Sequence, residues 1–322
     1  MSSPSSSTND TTSNFITIFD NGTYSTVLLN IKAEDFSSDS KTTSPSKPLI
    51  IATPSCSEGG EFPVLLMLHG YILYNHFYSQ LIKHIASHGF VVIAPQLYTI
   101  AGADSSDEIK DTAAIIDWAS KSLKNVLPSN VRPNLDKLAI SGHSRGGKVA
   151  FALALKKVTT SPLKISALIG IDPVDGMGKK NQTPPPVLTH LPQSFKLDGM
   201  PVLVIGSGFG AIKKNPLFPP CAPEGVNHEN FYNESQNPAW YFLVKDYGHL
   251  DMLDDCTKGV RGVSTYCLCK NGQSREPMRK FVGGVIVAFL NAYLKADESM
   301  LVSIRDGEET IPVKFDKVDV RL

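Results

Sequence analysis

No other segment limits the fold as tightly as residues 138–155. They open Leu-Ala-Ile-Ser-Gly-His-Ser-Arg-Gly-Gly and continue from Lys148 to Leu155 at helical spacing. An apolar run meets Gly142-His143-Ser144-Arg145-Gly146 and leaves as a helix, so the chain reads strand, sharp turn, helix, with a serine at the tip. That is the pattern of the G-x-S-x-G nucleophile elbow, where a strained backbone pushes a serine hydroxyl clear of the sheet. The glycines remove side chains that would strike the neighbouring strand and helix. The competing reading, a glycine turn with an idle serine, does not explain why strand and helix flank it.

The rest of the chain alternates in the same way. Apolar or β-rich runs predict strands at 26–32, 49–52, 63–69, 90–94, 165–171, 201–205 and 240–244. Helical spacing predicts helices at 77–88, 107–123 and 276–296. Residues 15–19 and 26–32 flank Asp20-Asn21-Gly22 and read as a hairpin; 301–305 and 310–315 around Asp306-Gly307 read as a second. Gly283-Gly284 inside the last helix implies close packing on the sheet. Strands alternating with helices predict an α/β fold with a mostly parallel central sheet and helices on both faces. Residues 15–322 read as a single domain. Residues 1–14, rich in Ser and Thr, read as a disordered tail or a transit segment.

Thirty-one basic residues balance thirty-one acidic ones, which favours neither a nucleic-acid partner nor an anionic membrane surface. No apolar stretch has the length of a membrane span. Five cysteines without CxxC spacing argue against zinc, and no cofactor or metal is expected. Cys221, Cys256, Cys267 and Cys269 hold either a loop disulfide or free thiols.

A serine hydroxyl needs a base to take its proton, and the base needs an acid to fix its tautomer. Only His190, His228 and His249 follow Ser144. His249, just beyond the strand at 240–244, stands where open α/β sheets place their sites, whereas His190 and His228 read as loop residues. The acid is Asp172, at the tip of the strand ending Gly170-Ile171; Asp175 and a loop glutamate such as Glu224 are the alternatives. Pro173 biases Asp172 towards an extended backbone. The amides of Arg145 and Tyr71 are the candidate oxyanion donors, and His69 reads as structural.

Three segments carry a family likeness: Gly142-His143-Ser144-Arg145-Gly146-Gly147, Ile171-Asp172-Pro173-Val174-Asp175-Gly176 and Tyr247-Gly248-His249-Leu250-Asp251-Met252-Leu253-Asp254. They resemble plant chlorophyllases, from about Pro63 to Leu294. The resemblance implies an α/β-hydrolase fold and hydrolysis of the phytyl ester of chlorophyll to chlorophyllide and phytol, without a metal. It implies Ser144 as nucleophile, Asp172 as acid and His249 as base. It also implies a chloroplast or another plant-cell compartment, with at most transient contact with membranes. Such a substrate needs a large apolar wall, for which Ile72, Tyr74, Phe209, Leu217 and Phe218 are the candidates. The runner-up is a general carboxylesterase or lipase of the same fold; a non-catalytic receptor would have to keep three catalytic residues idle.

Overall fold

The apolar runs pair side by side into one sheet. The computed structural model describes residues 17–36 and 43–322. Its strands are β1 (Ser25–Ile31), β2 (Leu49–Ser55), β3 (Gly60–Leu68), β4 (Val91–Pro95), β5 (Val131–His143), β6 (Ala167–Ile171), β7 (Val202–Ser207), β8 (Ala239–Val244) and β9 (Phe315–Arg321). They stand in the order β1-β2-β4-β3-β5-β6-β7-β8-β9. The six from β4 to β8 in that order run parallel; β1, β2 and β9 are antiparallel to their neighbours.

Strands that are apolar on every residue must be covered twice. In β3, Val64, Leu66 and Leu68 face one way and Leu65 and Met67 the other, and all five are buried. The first face packs with α2 (Ser106–Val126), α3 (Arg145–Ala154) and α4 (His228–Glu234). The second packs with α1 (Ser79–Ser87), α6 (Glu276–Lys295) and α7 (Ser299–Asp306). A short helix, α5 (Gly259–Ser264), lies in the loop after β8. The carboxyl ends of β5, β6, β7 and β8 therefore converge on one edge, carrying Ser144, Asp172, Ser207 and the loop to His249.

Four local readings change. Neither hairpin forms: β1 pairs with β2, and β9 pairs with β8. Residues 18–20 are a turn, with 15 and 16 outside the described residues, as is the segment 1–14. Residues 301–305 belong to α7, and Gly307 (φ 74°) caps that helix in the left-handed conformation instead of turning a hairpin. His228 opens α4, with Asn227 accepting the Glu229 amide as its cap, so it is not a loop residue. Gly283 and Gly284 meet α1 and the residue-19 turn, not the sheet: an added Cβ would lie 2.5 Å from the His84 ring and 2.4 Å from the Phe19 ring.

Candidate active site

The elbow is built by close backbone approach. Ser144 has φ 56° and ψ −121°, and its amide donates to Ile171 O at 3.0 Å, tying the turn to the neighbouring strand. A Cβ on Gly142 would sit 2.2 Å from the Gly146 backbone; one on Gly146 would sit 2.5 Å from the carbonyl oxygens of Leu68 and His69. Only glycine fits either place.

The hydroxyl meets a buried chain of polar groups. His249 Nε2 lies 2.8 Å from Ser144 Oγ, and its Nδ1 lies 2.7 Å from Asp172 Oδ2. With Nδ1–H donating to the carboxylate, Nε2 keeps a lone pair for the serine proton. Ser207 Oγ also donates to Asp172 Oδ2, and His228 Nε2 stands 3.8 Å from Oδ1. Burial works against a charge on Asp172, but the hydrogen bond and charge of His249, the charge of His228 and the Ser207 hydroxyl outweigh it and hold the carboxyl at about 2. Asp172 is not extended: its φ is 43°, set by a 2.6 Å bond from its amide to Ile205 O and by the groups that grip its carboxylate. This tertiary grip overrides the bias of Pro173.

Asp175 is turned to other work. Its Oδ2 accepts the amides of Val187 and Leu188 and the amide side chain of Gln182, and its Oδ1 lies 3.0 Å from Lys148 Nζ, both side chains fully buried. It anchors the 182–188 loop. Glu224 is exposed and has no contact with His249.

Among the described residues, the amides of Arg145 and Tyr71 donate to no protein acceptor, and Tyr71 lines the same cavity as Ser144. The Arg145 side chain turns away from that cavity. It binds Glu108 through two nitrogens (2.8 and 3.1 Å) and the carbonyls of Ala103 and Asp104, and its guanidinium faces the rings of Tyr71 and Tyr98. His69 is buried; its Nδ1 bonds Gly70 O and its Nε2 accepts the Leu97 amide, and burial pushes it down to about 4.

Ser144 and His249 open into a cavity of about 350 Å³ walled by Tyr71, Ile72, Met177, Phe218, Leu250 and Leu268. A disulfide between Cys221 and Cys269 forms part of that wall and ties the 217–221 loop to the 264–269 loop. Cys56, Cys256 and Cys267 are free. Three larger hollows, about 480 to 590 Å³, include none of Ser144, Asp172 and His249 in their walls. Of the five expected wall residues, Ile72 and Phe218 line the cavity. Tyr74, Phe209 and Leu217 do not: Tyr74 packs on Phe77 beneath Arg261, Phe209 lies under Lys270, and Leu217 is 86% exposed. Among the described residues, no group of three or more His, Cys, Asp or Glu side chains is arranged to hold a metal ion.

A sequence model described as chlorophyllase matches residues 14–322. Chlorophyllase-2 of Arabidopsis thaliana is 59% identical over 309 residues, which is 94% of this chain and 96% of that protein. This chain belongs to the chlorophyllase family. Chlorophyllase-1 of the same plant is 44% identical over 86% of each chain, and the Chlorophyllase-1 of Citrus unshiu named chloroplastic is 40% identical over 94% of this chain and 88% of its own. The chlorophyllase model extends to residue 14, well ahead of the segments that first carried the likeness.

Ser207 and Tyr78 of this chlorophyllase-family site had no signal of their own in the sequence, and His228 and His143 read there only as a loop residue and as part of the elbow. Ser207 sits in Gly206-Ser207-Gly208, at the same sheet edge as Ser144 and Asp172, and only the strand order reveals that. His228 reaches Asp172 from α4, with Nδ1 bonded to the Tyr241 hydroxyl at 2.8 Å. Tyr78 accepts the Gly70 amide and donates to His143 Nδ1 at 2.7 Å, and His143 Nε2–H donates to the His249 carbonyl at 2.8 Å. This buried relay joins the 70–71 turn to the loop of His249. Burial first, then the charge of His249, pushes His143 down to about 3, so it stays neutral.

Proposed function

We propose that this chain is a serine carboxylesterase that cleaves the phytyl ester of chlorophyll to chlorophyllide and phytol. The observation that carries the chemistry is the Ser144–His249–Asp172 chain, at 2.8 and 2.7 Å, opening into an apolar cavity. The substrate reading is supported by membership of the chlorophyllase family and by relatives at 59, 44 and 40% identity.

The mechanism follows from the geometry. His249 Nε2 takes the hydroxyl proton as Ser144 Oγ forms a bond to the ester carbonyl carbon. The carbonyl electron pair moves onto oxygen, and the amides of Arg145 and Tyr71 stabilise that charge. Asp172, ionised at neutral pH, stabilises the imidazolium and fixes its tautomer. Collapse breaks the C–O bond to the prenyl alcohol, which leaves with the proton from Nε2. Water, deprotonated by the same nitrogen, then releases the acid and restores Ser144.

Chlorophyll itself is the partner in this reading, with no nucleic acid involved and contact with membranes transient. No described helix is long and apolar enough to cross a membrane. A chloroplast location is supported by the name of the Citrus unshiu relative, which calls that protein chloroplastic.

Chlorophyll a in detergent should yield free phytol with the wild-type chain. Ser144→Ala and His249→Ala should each lower the rate by roughly 10³-fold or more, and the double variant should be little worse, because the two act in one step. Multiplying losses would remove them from a shared step. Rapid turnover of p-nitrophenyl esters with no phytol release would favour a general esterase.

A further inference from the structure

We propose that the mouth of this cavity is a docking face for an anionic lipid bilayer, which delivers the substrate directly into the site. The proposal rests on the reading of the substrate as an apolar prenyl ester, and it adds the surface and its charge.

The mouth is apolar and open to solvent. Met177, Phe218 and Leu268 line the cavity yet stay 53, 53 and 41% exposed. Leu217, beside Phe218, is 86% exposed. Val260, on the helix whose last residue Ser264 is in the wall, is 90% exposed. Single exposed apolar side chains are ordinary, but several around one opening mark a surface that meets another apolar phase. At about 350 Å³ the cavity is at the small end of ligand sites, so a macrocycle with a long tail must extend over this rim.

Charge selects the kind of surface. Stretches 69–78, 176–186, 209–223 and 256–272 supply most of the wall. They hold seven basic residues, Lys179, Lys180, Lys213, Lys214, Lys258, Arg261 and Lys270, and no Asp or Glu, in a chain whose total charges balance. Nearby acids are engaged: Asp255 pairs with Arg279, Asp251 accepts the amides of Gly248 and Gly272, and Asp254 accepts the Gln80 amide; Glu224 lies in solvent at the edge. Exposed apolar side chains on segments whose charged residues are all cations suit the interface of a membrane with anionic headgroups, where the cations meet phosphates and the apolar groups enter the acyl boundary.

Flotation of the full-length chain with phosphatidylcholine vesicles, with and without phosphatidylglycerol, tests this. Binding should be at least tenfold tighter with phosphatidylglycerol and should weaken as salt rises. Changing Lys179, Lys180, Lys213 and Lys258 together to Gln should abolish that tenfold difference, and Val260→Ser with Val263→Ser should weaken binding to both vesicle types. Both variants should hydrolyse soluble p-nitrophenyl acetate at the wild-type rate, which shows that they are folded. Equal binding to the two vesicle types, no binding to either, or full binding by the four-Gln variant would overturn the docking face. Chlorophyll cleavage in detergent alongside failed docking would leave the substrate reading standing. Docking with no cleavage in detergent would overturn the substrate reading and leave the face.

Discussion

Two aspartates three residues apart illustrate how much one side chain's surroundings decide. Asp172 and Asp175 were both candidates in the sequence, because either type at a strand tip can serve as the acid. The difference lies in what reaches them from β7, β8 and the 182–188 loop, and that is not written locally. Asp172→Asn should keep the fold and lower turnover by roughly 10³-fold or more, since an amide there favours the wrong imidazole tautomer. Asp175→Asn should instead lower stability, by about 3 kcal/mol, because it leaves the buried Lys148 charge without its carboxylate, with only the neutral oxygens of Thr183 and Pro184 to accept from it. Thermal melting beside steady-state rates separates the two, and the reverse ranking would move the acid to Asp175. The Tyr78–His143 relay makes a second test. Tyr78→Phe removes the acceptor of the Gly70 amide and the donor to His143 while keeping the ring. An unpaired buried group costs about 1–3 kcal/mol, so kcat should fall about tenfold with KM nearly unchanged. An unaltered kcat would show that the relay does not position the base.

Elements were legible where their signal is local and long. The elbow, the buried strands and the long helices each announce themselves within a dozen residues. The two hairpins did not form because turn residues such as Asp20-Asn21-Gly22 and Asp306-Gly307 report only that the chain bends. They say nothing of which strand lies beside the next one, and β2 and β8 offered longer apolar partners. The Cys221–Cys269 pairing, 48 residues apart, was equally beyond local reading. Two glycines separate the roles of elements. Gly284→Ala drives a methyl against Phe19 and should cost about 1–3 kcal/mol of stability with no change in kcat of the folded enzyme. Gly146→Ala drives one against the carbonyls of Leu68 and His69, which cannot swing aside as a side chain can. The end of β3 and the Tyr71 turn should shift against Ser144, lowering kcat roughly tenfold to a hundredfold. A fully active Gly146→Ala would mean that β3 and α3 tolerate a wider gap.

Across the whole molecule, buried neutral histidines set the response to acid. Burial pushes His69 and His84 to about 4 and His143 to about 3, from 6.5. Below pH 6.5 the unfolded chain takes up protons that the folded one refuses, so stability falls as pH drops from 6.5 towards 4, by roughly 1 kcal/mol per pH unit for each. Asp172, held at about 2 against 3.8, adds its own loss only as pH falls from about 4 to about 2. Melting temperature should therefore decline well above the carboxylate range. His84→Gln, remote from Ser144, should flatten the decline between pH 6.5 and 4. A melting temperature constant down to pH 4.5 would contradict this.

The charge arrangement has one more consequence. Since the totals balance, the basic excess on the four stretches that wall the cavity leaves an equal acidic excess over the rest of the chain. A neutral molecule so divided is an electric dipole whose positive side is the face proposed to dock. Near a negatively charged sheet it feels little net pull but a definite torque. It should turn before it touches, so that most first encounters are made mouth first, and raising salt should randomise that approach before it weakens the contact itself.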